Sequence, residues 1–179
     1  MKKVIISLII MFGFLNNASA DYAKLAYDFQ FKSIDGEIIK LSDYQNKVIV
    51  VVNVASRCGF TNQYEDLQEL WSSYKNKGLI VLGVPTNDFK QEPGSNGDIK
   101  NFCETNFNIN FLLTEKNDVK GDNAHAIYLW AKKNFGNSTI PKWNFHKILI
   151  NKSGKIQNTY NSFIKPMSKK LINDLELIL

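Results

Sequence analysis

Cys58 lies in a stretch whose residue types suit the chemistry of a reactive thiol. It follows a run of branched apolar residues at 48–52, which is typical of a buried parallel strand. Polar residues then interrupt the run, and a helical pattern begins near Gln63. Ligands of open α/β sheets bind where strands end, and backbone N–H groups there favour anions, so the position favours a thiolate. The alternative is that Cys58 is a small buried hydrophobic residue.

The second cysteine, the two histidines and the residues after Cys58 restrict the kinds of site that the chain can form. Two cysteines, Cys58 and Cys103, are too few for a disulfide-scaffolded fold. His125 and His146 have no metal-ligand spacing to a cysteine or an acid, so we expect neither a zinc or haem site nor another cofactor. Position 61 is threonine, so there is no C-x-x-C motif, and dithiol exchange of the thioredoxin type is disfavoured.

The N-terminus has the pattern of a cleaved secretory signal. Two lysines precede an apolar run at 4–15, and Ala-Ser-Ala at 18–20 has the small-x-small form of a signal-peptidase site. The run is shorter than the roughly 20 apolar residues that a spanning helix needs. We therefore expect a signal peptide over 1–20, one domain over 21–179, and a periplasmic or secreted protein. An uncleaved anchor is the alternative.

The charge pattern argues against a nucleic acid as partner. The formal net charge of the 179 residues is +5, from 22 basic and 17 acidic side chains. The lysines are scattered, apart from short pairs such as 132–133 and 169–170. Such scatter is typical of a solvated surface rather than of a nucleic-acid footprint.

The elements predicted around Cys58 form an α/β fold. Ser95 is a plausible cap for the helix that carries Cys103. The order strand, helix, strand predicts a right-handed parallel crossover, and a closing hairpin adds antiparallel strands. A mixed central sheet flanked by helices follows, and a cysteine at the end of the first core strand suggests a thioredoxin-like fold. The predicted segments are an N-terminal hairpin at 27–41, strands at 47–54, 79–84, 145–151 and 155–160, and helices at 63–75, 98–105, 123–134 and 168–179.

Four blocks of the chain resemble the signature blocks of glutathione peroxidases. They are residues 53–59, 85–89, 91–96 and 142–145, and they occur in the family's order. The resemblance covers essentially all of the chain after residue 20. It implies a thioredoxin fold and the reduction of hydroperoxides to alcohols or water, with cysteine where the best-known animal enzymes carry selenocysteine.

The resemblance also implies the roles of individual residues. Cys58 matches the peroxidatic position, and Gln91, Trp143 and Asn144 match the polar partners that complete the family's catalytic tetrad. A thiolate attacking an O–O bond needs hydrogen-bond donors for the sulfur anion and the departing alkoxide, which indole and amide N–H groups supply. From the residues alone, Trp143 would be a core aromatic and Asn144 a turn residue.

The chain departs from the family pattern in the loop before Gln91. This loop has one residue fewer between Phe89 and Gln91 than is usual in the family. The shorter loop predicts that Gln91 is displaced from the family's position or that it shares its role with Asn87.

Cys103 is the candidate resolving cysteine. Family members that recycle through a second cysteine carry it in the corresponding helix, and our alignment puts Cys103 one residue before that position, which Glu104 occupies. One residue is about 100° around a helix. Cys103 is therefore either the resolving residue or a buried helix residue.

The resemblance finally implies the partners. They are a hydroperoxide, which includes lipid hydroperoxides, and a thioredoxin-like protein or a small thiol such as glutathione as reductant. The long insertion that tetrameric members carry before Trp143 is absent, which predicts a monomer with an open site. The rival hypothesis is a non-catalytic thioredoxin-like periplasmic binding protein, with Cys58 and Cys103 in a structural disulfide.

Overall fold

A central sheet and the helices on its two faces build the framework of the protein. The computed structural model describes residues 22–179. Its strands are β1 (Gln30–Lys32), β2 (Ile38–Lys40), β3 (Val48–Val54), β4 (Leu79–Pro85), β5 (Leu112–Leu113), β6 (Lys147–Ile150) and β7 (Ile156–Tyr160). Its α-helices are α1 (Gln63–Tyr74), α2 (Asn96–Phe107), α3 (Ala126–Phe135) and α4 (Lys169–Glu176). Single 3₁₀ turns lie at Ala26–Asp28, Leu41–Tyr44, Lys75–Lys77 and Asn137–Thr139.

The main sheet has five strands in the order β5-β4-β3-β6-β7. β4 is parallel to β3 and to β5, whereas β6 is antiparallel to β3 and β7 is antiparallel to β6. β1 and β2 form a separate antiparallel hairpin. The predicted mixed sheet and N-terminal hairpin are therefore confirmed. The two-residue β5 was not predicted, because so short a strand has no periodicity.

β3 is buried along its whole length. Its side chains alternate between the two faces of the sheet. Val50 and Val52 face a cluster formed with α1, α2 and α4, while Ile49 and Val51 face a cluster formed with α3 and the N-terminal segment. Two apolar faces explain why the strand is a continuous run of branched residues. β3 also pairs in register with β4 up to Val54 and Pro85, so both strands end at the same edge of the sheet.

α1 presents an aromatic and aliphatic stripe to the core. Tyr64, Leu67, Leu70 and Tyr74 are buried on one face of the helix. A 3₁₀ turn follows the helix and ends at Gly78, whose φ of +100° is the left-handed conformation that glycine adopts readily.

α3 and β6 begin two or more residues later than predicted. α3 starts at Ala126 rather than at residue 123, because the ring of His125 accepts the N–H of Ile127 and caps the helix there. β6 starts at Lys147 rather than at residue 145, because Phe145 has a φ of +63° that a strand does not accommodate.

The predicted signal peptide lies outside the described residues, as does the first residue of the predicted mature chain. Within residues 22–179, no helix has the length and apolar character needed to cross a membrane.

Candidate active site

Cys58 lies in a tight turn between the carboxyl end of β3 and the start of α1. The side chain of Thr61 fixes this turn, because its hydroxyl oxygen accepts the Cys58 N–H at 3.0 Å and lies 2.7 Å from the Cys58 carbonyl oxygen. The Cys58 side chain is 9 % exposed, and its sulfur accepts the N–H of Phe60 at 3.4 Å. A backbone N–H aimed at the sulfur favours an anion at this position.

A buried carboxylate holds the residues just before Cys58. Oε2 of Glu92 accepts both the N–H of Ser56 at 2.7 Å and the Ser56 hydroxyl at 2.9 Å. The N–H of Glu92 donates in turn to Oδ1 of Asn87 at 3.0 Å. Burial raises the pKa of Glu92, while the two bonds from Ser56 oppose that rise. Glu92 therefore links the loop after β4 to the loop after β3.

The same loop brings Gln91 to Asn144. The Gln91 carbonyl accepts the N–H of Arg57 at 3.0 Å, and its Oε1 accepts Nδ2 of Asn144 at 2.9 Å. Asn144 is fully buried, and its Oδ1 has no hydrogen-bond partner among the described residues. The loop that is one residue short thus still places Gln91 beside Asn144, while Asn87 is occupied with Glu92.

Trp143 lies on the outer side of this arrangement. Its side chain is 41 % exposed and packs against Phe89, with ring centroids 5.4 Å apart at 52°. The interpretation of Trp143 as a core aromatic residue is therefore wrong. Gln91 borders the turn through its bond to Arg57 and contacts Asn144, but within residues 22–179 none of Gln91, Trp143 and Asn144 makes a direct hydrogen bond to the Cys58 sulfur.

Asn53 positions the Trp143-Asn144 segment. Its Nδ2 donates to the Trp143 carbonyl at 3.1 Å, and its Oδ1 accepts the N–H of His146 at 3.1 Å. Its own carbonyl accepts the N–H of Phe145 at 2.6 Å. The sequence analysis did not assign this role to Asn53, although an asparagine at the end of an apolar strand is a usable signal, because a buried amide needs partners.

Cys103 lies in the core. It is fully buried on α2 and belongs to the same hydrophobic cluster as Cys58. Burial raises the pKa of the Cys103 thiol to about 11. Both cysteines are free thiols.

Comparison with known proteins assigns this architecture to a family. Residues 26–132 match the family model described as glutathione peroxidase. The hydroperoxy fatty acid reductase gpx1 of Synechocystis is 41 % identical over 162 residues, which cover 86 % of this chain and 95 % of that protein. The glutathione peroxidase-like peroxiredoxin 2 of Saccharomyces cerevisiae is 43 % identical over 147 residues, which cover 79 % and 90 %.

Solved structures agree with the sequence relatives. The crystal structure of GPX1 from T. cruzi superposes with a TM-score of 0.66 at 32 % identity, and the match covers 87 % of this chain and 96 % of that one. The predicted thioredoxin-like fold is thereby confirmed.

Proposed function

Because the chain belongs to the glutathione peroxidase family and is a thiol-dependent hydroperoxide peroxidase, we propose that Cys58 is its peroxidatic residue. The observation that carries this assignment is the Cys58 turn itself. It holds a nearly buried sulfur against the N–H of Phe60, at the edge of the sheet where Gln91 and Asn144 meet.

The first chemical step consumes the peroxide. The Cys58 thiolate attacks one oxygen of the O–O bond, the sulfur is oxidised to a sulfenic acid, and the other oxygen leaves as alkoxide or hydroxide. That anion takes up a proton and departs as alcohol or water. In this proposal the N–H groups of Gln91, Trp143 and Asn144 stabilise the negative charge as it moves from sulfur to the leaving oxygen. Asn144 uses only one of its two amide N–H groups in its bond to Gln91, and Gln91 takes part in that bond only as acceptor.

The second step uses Cys103 as the resolving residue. Its thiolate attacks the sulfur of the Cys58 sulfenic acid, a disulfide forms, and hydroxide leaves and is protonated to water. A dithiol protein of the thioredoxin type then reduces the disulfide, and a small thiol such as glutathione is the alternative reductant. Supporting this step, Cys58 and Cys103 belong to one hydrophobic cluster and both are free.

Bulky organic hydroperoxides, including those of lipids, are the proposed substrates beside hydrogen peroxide. Phe60 follows the Cys58 turn and packs edge to face with Phe163 at 5.2 Å, and the side chain of Phe163 is 80 % exposed. Trp143 adds a third accessible ring. Apolar surface beside the sulfur suits an acyl chain, and a relative at 41 % identity is named a hydroperoxy fatty acid reductase.

The cellular setting is part of the same proposal. The basic start, apolar run and Ala-Ser-Ala site support a bacterial protein whose residues 1–20 are removed on export, which leaves one domain, 21–179, in the periplasm or outside the cell. We expect that domain to be a monomer. N-terminal sequencing of the exported protein should give Asp21 first, and a chain that retains Met1 would contradict this.

One stoichiometric reaction tests the assignment of both cysteines. Wild type, Cys58→Ser and Cys103→Ser each receive one equivalent of hydrogen peroxide and are examined by non-reducing mass spectrometry with a sulfenic-acid trap. We expect a disulfide in wild type, a trapped sulfenic acid at position 58 in Cys103→Ser, and no oxidation in Cys58→Ser. Oxidation of Cys58→Ser at the wild-type rate would refute the peroxidatic role.

The non-catalytic alternative has no observation in its favour. It requires a structural disulfide between Cys58 and Cys103, whereas both are free thiols. The relatives are named as peroxidases and reductases rather than as binding proteins.

A further inference from the structure

Tyr64 lies in the interior, in the same hydrophobic cluster as the two cysteines. It is the second residue of α1 and is fully buried. Its ring packs against Phe107 at the end of α2, at 5.3 Å, and edge to face against Phe145, at 5.4 Å. The hydroxyl group therefore has a fixed position between α2 and the segment that carries Asn144.

The Tyr64 hydroxyl group has no hydrogen-bond partner among the described residues, although it lies beside the thiol of Cys103. A buried hydroxyl that makes no hydrogen bond is unfavourable, and native proteins rarely retain one without a reason. The Tyr64 hydroxyl can stabilise the Cys103 sulfur by donating a hydrogen bond to it when that sulfur becomes negatively charged.

Cys103 is the neighbour that must acquire charge. It can attack a sulfenic acid only as the thiolate, and its complete burial opposes ionisation and raises its pKa to about 11. Two carboxylates, Glu92 from the loop after β4 and Glu104 from α2 itself, oppose ionisation further. Of the groups that act on the Cys103 thiol, Tyr64 is the one that lowers its pKa.

We propose that Tyr64 is a positioning residue for the resolving step, whose hydroxyl donates a hydrogen bond to the Cys103 thiolate as that thiolate forms and attacks the Cys58 sulfenic acid. This inference rests on the proposed resolving role of Cys103. The proton of the Cys103 thiol passes to solvent or to the departing hydroxide, and the Tyr64 hydroxyl keeps its own proton throughout. The sulfur of Cys103 supplies the electron pair, the S–O bond of the sulfenic acid breaks, and the S–S bond forms.

The first chemical step does not involve Tyr64. The sulfur of Cys58 already accepts the N–H of Phe60, and its turn is fixed by Thr61. Removal of the Tyr64 hydroxyl should therefore separate the two steps, because the attack on peroxide stays as it is and only disulfide formation is slowed.

The test compares Tyr64→Phe with wild type in single-turnover reactions between pH 6 and pH 9. The variant keeps the ring and its packing against Phe107 and Phe145. We expect an unchanged rate of peroxide consumption, disulfide formation about tenfold slower at pH 7, and a pH profile displaced upward by about one unit. The unchanged first step shows on the same sample that the variant is folded.

Tyr128→Phe is the matched control. Tyr128 is also a buried tyrosine whose hydroxyl has no partner among the described residues, but it lies on α3, in the cluster on the other face of the sheet. Its replacement should change neither step. Cys103→Ser sets the baseline without any intramolecular disulfide.

The possible outcomes distinguish the role of Tyr64 from the resolving role of Cys103 on which it rests. If wild type and Tyr64→Phe form the disulfide at the same rate with the same pH profile, the role of Tyr64 is refuted and that of Cys103 stands. If wild type forms no disulfide, the resolving role of Cys103 fails and the role of Tyr64 fails with it. Peroxide reduction by Cys58 is unaffected in either case.

Discussion

At the scale of single residues, several buried polar atoms of the protein lack hydrogen-bond partners in the described part of the chain. They include Oδ1 of Asn144, the hydroxyl of Tyr64 and Nε2 of His146. Asn144 borders the Cys58 turn through Gln91, and His146 lies two residues further along the chain. Buried polar groups without hydrogen-bond partners lower the stability of the fold, and they are expected mainly at functional sites.

The position of Cys58 could be predicted from the local sequence, but the distant residues that act on the two cysteine segments could not. The position of Cys58 follows from an apolar strand, a polar break and a helical pattern, which are all local. Glu92 and Tyr64 act through contacts with residues 36 and 39 positions away, with Ser56 and Cys103 respectively. No periodicity of the sequence encodes contacts at that separation.

His146 should make the protein sensitive to acid. Its side chain is buried, and burial together with the nearby Lys147 ammonium lowers its pKa from 6.5 to about 4. The unfolded chain then binds more protons than the folded protein between these values, so the contribution of His146 to stability is constant above about pH 6.5 and falls as the pH drops towards 4. At pH 4 the loss attributable to His146 is about 3 kcal/mol.

Urea unfolding of wild type and His146→Gln at pH 7, pH 5.5 and pH 4 measures this effect. Glutamine keeps a polar side chain that does not titrate, so any constant loss of stability in the variant cancels between pH values. We expect wild type to lose about 3 kcal/mol more than the variant between pH 7 and pH 4. Equal losses in the two proteins would show that His146 is not buried in its neutral form.

At the scale of elements, one buried network ties the sheet to the helices near the site. Nζ of Lys147, on β6, donates to Oε1 of Gln63 at the start of α1 and to the Ile164 carbonyl at 2.7 Å. Nε2 of Gln63 donates to the Ser162 carbonyl at 2.6 Å. The network therefore joins β6, α1 and the segment between β7 and α4. Burial lowers the pKa of Lys147 to about 7.

Gln63→Leu should destabilise the protein by about 2 kcal/mol, because it deprives a buried amine and a backbone carbonyl of their partner. The free energy of unfolding in urea measures the change. In the double variant Gln63→Leu with Lys147→Met, the amine is gone as well, so the total loss should be smaller than the sum of the single losses.

Glu69→Gln is the control for this network, since Glu69 is an exposed residue of the same helix and its replacement should stay within about 0.5 kcal/mol of wild type. Strict additivity of Gln63→Leu and Lys147→Met would argue against a shared network.

At the scale of the whole molecule, the order of the elements and the mixed sheet were predictable because each element has a local signal. The continuous apolar run of β3, the apolar stripe on α1 and the left-handed Gly78 are examples. What could not be predicted was the edge of the sheet at β5 and the close approach of the loops after β3 and β4. Both arise from tertiary contacts. The two leucines of β5 carry no local signal that predicts their pairing with β4.

The site is assembled only in the complete fold. Cys58 comes from the loop after β3, Gln91 from the loop after β4 and Asn144 from the segment before β6. The parallel pairing of β3 with β4 brings two of these to one edge, and the antiparallel pairing of β3 with β6 brings the third. We therefore propose that this edge of the sheet makes Cys58 the peroxide nucleophile.

Steady-state hydroperoxide turnover with a thioredoxin system, measured for wild type, Cys58→Ser and Cys103→Ser, tests that claim most directly. Loss of the nucleophile should lower kcat/KM of Cys58→Ser by more than about a thousandfold, while Cys103→Ser still reacts with the first equivalent of peroxide. Turnover of Cys58→Ser close to that of wild type would contradict the account.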